Sequence, residues 1–254
     1  MKPPVIPFIS TLAIVAATLL PAAAADTTAD QLLRQMSAKL AAAKSFTFEA
    51  TREIDPGLLE GISAPTKANV SAAVQRPNKL TATAKSRLGT RSFIFDGSSL
   101  VLLDEKNNLY AKVPMRTSID GLVDQIDVNY GFVPPLAEFA LSNPYKELRG
   151  QAQSVTYLGH EKTKEGFLGL GGVECHRIWL AGKEADAELW IGVNDQLPRK
   201  LTASFHREGK PQVHISFSKW NLAAPAADFT FNPPKGSQQI EMWSTAKMQS
   251  NRKH

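Results

Sequence analysis

Hydrophobic residues along this chain follow two different periods, and the places where the period changes predict its elements. From Thr28 to Ala43 the apolar side chains Leu32, Met36, Leu40 and Ala43 fall on one helical face, with Arg34 and Lys39 opposite. This spacing predicts an amphipathic helix, and Thr28 and Gln31 stand at capping-box separation. From Phe46 onward the alternation tightens to every second residue. Strands are expected over 46–53, 70–75, 80–87, 91–95, 100–103 and 109–113. They are divided by the turn formers Asp55-Pro56-Gly57, Arg76-Pro77-Asn78, Leu88-Gly89, Asp96-Gly97 and Lys106-Asn107-Asn108. Such a series is a meander of antiparallel hairpins.

Residues 116–148 interrupt the alternation. Thr117-Ser118-Ile119-Asp120 has the form of a helix start, followed by the apolar stripe Leu122, Val123 and Ile126. A second apolar helix is expected over 136–141, with Pro134 and Pro135 in its first turn and Asn143-Pro144 at its end. Strands resume at 154–159, 173–180, 187–193, 200–206 and 212–220, and 229–234 reads as a short edge strand stopped by proline. Glu208-Gly209-Lys210 predicts a three-residue hairpin loop that sets Phe205 opposite Val213, Ala203 opposite Ile215 and Leu201 opposite Phe217. One face of that hairpin is then wholly apolar. The other carries Thr202, Ser204, His206, His214, Ser216 and Ser218, as in a sheet with one buried and one solvated side. Phe93 and Phe95 alternate in the same way. The fold class implied is mainly β (α+β): a long curved antiparallel sheet, or half-barrel, with the N-terminal helix and the inserted helices covering its concave apolar face. A closed barrel with a filled interior is the alternative architecture.

Ahead of the first helix, Lys2 precedes the apolar run Val5–Leu20, which Pro21 breaks before Ala22-Ala23-Ala24-Ala25. That order predicts a secretory signal peptide over 1–25, cleaved after Ala25 to release a mature periplasmic chain starting at Asp26. The run is interrupted at Pro7 and falls short of the ~20 apolar residues that span a bilayer. The rest is sized for a single β-rich domain over 26–240, followed by a flexible tail over 241–254. Cleavage removes one of 29 basic residues and none of 24 acidic ones, so the mature charge is only +4. Basic residues are scattered, with the densest group, Arg252-Lys253-His254, on the tail, so no nucleic-acid footprint is expected. Cys175 is the single cysteine, which excludes an intramolecular disulfide; within an apolar strand it reads as a small buried hydrophobe.

None of the familiar catalytic spacings is present: no Gly-x-Ser-x-Gly elbow, no Walker-type loop, no His-Glu-x-x-His pair and no Cys-x-x-Cys. The run Gly166–Gly172 lacks the Gly-Lys-Ser/Thr ending of a phosphate loop and joins two strands. It is expected to be a hairpin tip, with Phe167, Leu168 and Leu170 either touching a membrane or folding back under the sheet. His206 and His214 fall on one face of the hairpin at diagonal positions, ~7–8 Å apart, but no third ligand accompanies them. Cys175 and His176 are strand neighbours and point to opposite faces, which rules out a direct nucleophilic pair. No enzyme activity, metal or cofactor is expected.

The ordered motifs Val173–Leu180, Glu188-Leu189-Trp190-Ile191, Leu197-Pro198-Arg199-Lys200 and Phe231–Gly236, with Arg76-Pro77-Asn78 and Phe95-Asp96-Gly97, resemble the domain of unknown function 2092, a family of predicted periplasmic proteins. More distantly the layout is similar to the lipoprotein carriers LolA and LolB, whose half-barrel closes over an apolar cavity with a helical lid. The resemblance implies a monomeric binding protein for an acyl chain, lipid or lipoprotein. On this reading Phe93, Phe95, Leu201, Phe205, Val213, Ile215 and Phe217 form the cavity wall, and Leu122, Val123, Ile126 and Phe139 form the lid. The competing reading is a non-catalytic envelope protein whose interior is a filled core.

Overall fold

The computed structural model describes residues 27–61, 64–132, 134, 136–164, 171–224, 227–242 and 244. The expected signal peptide, its cleavage site, the tip residues Phe167, Leu168 and Leu170, and most of the tail lie outside these residues. Among the described residues twelve strands make one open sheet: β1 (Ser45–Ile54), β2 (Lys67–Gln75), β3 (Lys79–Ser86), β4 (Gly89–Phe95), β5 (Ser99–Asp104), β6 (Leu109–Pro114), β7 (Ala152–Lys162), β8 (Glu174–Gly182), β9 (Ala185–Gly192), β10 (Pro198–Phe205), β11 (Gln212–Asn221) and β12 (Gln238–Gln239). Their order is β12-β6-β5-β4-β3-β2-β1-β11-β10-β9-β8-β7, antiparallel throughout except at β12–β6. Two meanders are thus joined by β1 lying against β11. The curved, open sheet is the expected half-barrel rather than a closed barrel.

Among the described residues three α-helices accompany the sheet: α1 (Thr27–Ala42), α2 (Ile119–Tyr130) and α3 (Pro144–Gln151). The inward stripe of α1, Leu32, Leu33, Met36 and Leu40, is buried in the core that the sheet supplies. Ser118 caps α2 by accepting from the Gly121 amide at 3.2 Å, and Gly131, left-handed at φ 69°, ends it. Arg76, at the β2–β3 turn, ties the layers together. Its Nη1 donates to the Ala140 carbonyl at 2.7 Å and its Nη2 to the Leu40 carbonyl at 3.4 Å.

Several expectations are corrected. Residues 136–141 form only a 3₁₀ turn, Ala137–Phe139, and Asn143-Pro144 begins a helix instead of ending one. The Asn143 side chain accepts from the Lys146 amide at 3.0 Å and Pro144 fills the first helical position, so the same two residues serve α3 as cap and N1. Residues 229–234 form no strand; the edge segment is β12, because two successive prolines withhold the amides a ladder needs. The β10–β11 register places Leu201 opposite Ile215 and Ala203 opposite Val213, two residues from the expected pairing. An even slip leaves every side chain on its expected face, since strand side chains repeat with period two.

Candidate functional site

The concave face of β1–β6 is organised as rows of cross-strand neighbours. The first row, Phe46, Val74, Leu80, Phe95 and Leu100, is 0–5% exposed, and Val74 and Leu80 border the cavity described below. The next row is Phe48, Ala72, Ala82, Phe93, Leu102 and Ala111. Beyond it run Val70 and Ala84, and then Arg52 opposite Ala68. Where the first row presents large side chains, these rows present a run of alanines too short to meet the opposite layer. A cavity of about 950 Å³ remains above them, towards the upper end of the ~300–1,000 Å³ typical of small-molecule sites. Its wall also includes Phe132, Pro134, Leu136, Ala137 and Ala140 of the segment after α2, and Ile240, Glu241 and Met242 beyond β12. The Gln238 and Ile240 amides donate to Asn108 and Tyr110 carbonyls at 2.8 Å, which holds that last segment along β6.

Four charged residues line the cavity: Arg52, Arg91, Asp104 and Glu241. Arg91 is engaged by Asp104 at 3.3 Å. Arg52 continues the inward alternation Phe46, Phe48, Ala50 on β1, and its cross-strand neighbours are Ala68 and Ile215. Its Nε is buried without a hydrogen-bond partner. Burial alone pushes its pKa down from the ordinary arginine value, with no neighbouring carboxylate to offset the lost water.

Of the residues expected on the cavity wall, Phe93 lines the cavity. Phe95, Leu201, Ile215 and Phe217 are buried core residues, 0–8% exposed, and Phe205 and Val213 are partly buried towards the end of the β10–β11 hairpin; none of these six lines the space. The expected lid residues Leu122, Ile126 and Phe139 are fully buried, and Val123 is partly exposed. Phe139 packs edge-on against Phe217 with ring centroids 4.9 Å apart. Lid and wall therefore meet directly over the β11 half of the sheet, and the hollow lies over β1–β6 instead. The β1 alternation was the legible signal for Arg52; the alanines of β2 and β3 were the signal for the cavity.

The two-residue register change also separates the expected histidine pair. His214 sits opposite Thr202, with 3.2 Å between their polar atoms, while His206 contacts Asp186 at 2.9 Å and the Lys183 carbonyl at 3.1 Å. A different pair forms at β7–β8. His160 Nε2 lies 2.6 Å from His176 Nδ1, which also meets the Tyr157 hydroxyl at 3.2 Å. A register shift at Tyr157/Gly159, with Gly159 at φ 106°, brings Tyr157 and His160 to the same partner. Burial, then the neighbouring His160, lowers the His176 pKa. Cys175 is buried with its Sγ 3.3 Å from the Val173 carbonyl. Among the described residues no group of three or more His, Cys, Asp or Glu is placed to hold a metal ion, and no helix is long and apolar enough to cross a membrane.

The chain belongs to the family described as Predicted periplasmic protein (DUF2092), whose family model matches residues 29–243. Among solved structures it is similar to LprF from Mycobacterium bovis, at 13% identity over 84% of this chain and 99% of that one, with a TM-score of 0.46. It is also similar to the Pseudomonas aeruginosa MucA/MucB complex, at 15% identity over 81% of this chain and 61% of that one, TM-score 0.45. The LolA superfamily protein NE2245 from Nitrosomonas europaea follows at 10% identity over 78% and 95%, TM-score 0.36. No curated protein sequence matches. These likenesses concern the layout of the fold.

Proposed function

We propose that the protein is a non-catalytic periplasmic binding protein that takes an acyl chain, as a free lipid or as part of a lipoprotein, into the cavity over β1–β6. The observation that carries this reading is the roughly 950 Å³ of space over an apolar floor that small side chains leave unfilled. A largely apolar space of this size gains most from a flexible hydrocarbon chain, because each buried methylene contributes ~0.8 kcal/mol. Such an increment corresponds to about a fourfold gain in affinity per methylene until the cavity is full.

The test is a titration with fatty acids of increasing length, read by displacement of a fluorescent acyl probe. Affinity is expected to climb with length and then level off. Ala82→Trp, which places a large ring in the centre of the floor, is expected to shorten the length at which it levels off while leaving the circular dichroism unchanged. An affinity independent of length in both proteins refutes the reading and returns the filled-core interaction protein.

A further inference from the structure

Resting on that reading, we infer that the cavity selects amphiphiles with an anionic head group, a carboxylate, phosphate or sulfate, held by Arg52. Arg52 and Arg76 are both partly buried, and each has its Nε buried without a partner, but their terminal nitrogens are used differently. Arg76 uses its fork on two carbonyls that join β2, α1 and the segment before α3. Arg52, in the cavity lining, has its Nε buried without a partner, and its neighbours across both adjacent strands are the apolar Ala68 and Ile215.

A guanidinium partly withdrawn from water without a carboxylate beside it gains from an anion that reaches it. Its planar fork matches the paired oxygens of a carboxylate or phosphate. The position is also suited to an amphiphile. Arg52 lies at one side of the apolar floor, two residues along β1 from Ala50 and four from Phe48. A head group at Arg52 leaves the tail free to follow Ala72, Ala82 and Phe93 across the strands. Arg91, the other lining arginine, already has Asp104, so Arg52 is the one expected to discriminate.

The experiment compares palmitate, hexadecyl phosphate, hexadecanol and hexadecyltrimethylammonium, which share a tail and differ in head charge, binding to the mature wild-type chain and to Arg52→Met and Arg52→Lys. Wild type is expected to bind the two anions roughly 10- to 100-fold more tightly than the alcohol, the range of a charge-assisted hydrogen bond, and the cation least. Arg52→Met, similar in volume and uncharged, is expected to bind anion and alcohol alike with its affinity for the alcohol retained. Arg52→Lys is expected to keep part of the preference, as a point charge without the fork. Inorganic phosphate is expected not to displace palmitate; displacement at comparable concentration overturns the amphiphile in favour of a free oxyanion. Equal binding of palmitate and hexadecanol by wild type, or an anion preference that survives in Arg52→Met, overturns the assignment to Arg52 and leaves acyl binding standing. Binding of none of the four removes the cavity reading and this inference together.

Discussion

Phe217→Ala is expected to destabilise the protein by about 3–5 kcal/mol, with little effect on the affinity of the fraction that remains folded. Phe217 is 2% exposed and packs against three rings, Phe139 at 4.9 Å, Trp220 at 5.7 Å and Phe48 at 5.8 Å between centroids. Truncation removes the transfer energy of the ring and leaves a void that close-packed neighbours cannot collapse to fill. Urea unfolding followed by circular dichroism measures the change. A wild-type midpoint together with a loss of acyl binding is the opposite outcome, and would place Phe217 on a ligand surface and not in the core.

The second large effect is on the pH dependence of stability. Burial pushes the Glu138 carboxyl up to about 7, Glu147 adds repulsion, and only the residue's own amide opposes the shift. Below the ordinary glutamate range, near 4.5, folded and unfolded chains are both protonated and the site costs nothing. Between there and about 7 the unfolded chain releases the proton while the folded chain holds it, so stability falls as pH rises. Above 7 the full penalty applies. For a carboxyl that keeps some contact with solvent this amounts to on the order of 1–3 kcal/mol. Glu138→Gln is therefore expected to raise the unfolding free energy at pH 8 by that amount and to leave it unchanged at pH 4. Parallel wild-type and variant curves across this range would show that Glu138 ionises in the fold as it does in water.

Glu138 and Phe217 also mark how far the sequence could be read. The alternation at Phe46, Phe48 and Ala50, and at Leu201, Ala203, Val213, Ile215 and Phe217, assigned these residues to the inward face, because a strand offers its side chains only two directions. A two-residue error in pairing β10 with β11 left that assignment intact. The same error displaced His206 from its expected diagonal position beside His214, since contact between side chains depends on register and not on face alone. The partly buried carboxyl of Glu138 gave no sign in sequence: it sits in a short stretch that reads as a helix, and its degree of burial is set by the tertiary fold.

What the amino-acid sequence determined by itself is what local chemistry enforces. It specified an amphipathic first helix, two runs of alternating strands separated by glycine, proline and asparagine turns, a helical interruption, and a half-barrel with one apolar face. Only the tertiary structure decided which part of that face is packed and which is hollow. Packing depends on what stands across from each row. The large residues of β11 meet Phe139 and form solid core, whereas the alanines of β2 and β3 face a wall they cannot reach. Arg52 shows the same division, its inward direction following from the β1 alternation and its isolation from the absence of a charged neighbour across either adjacent strand.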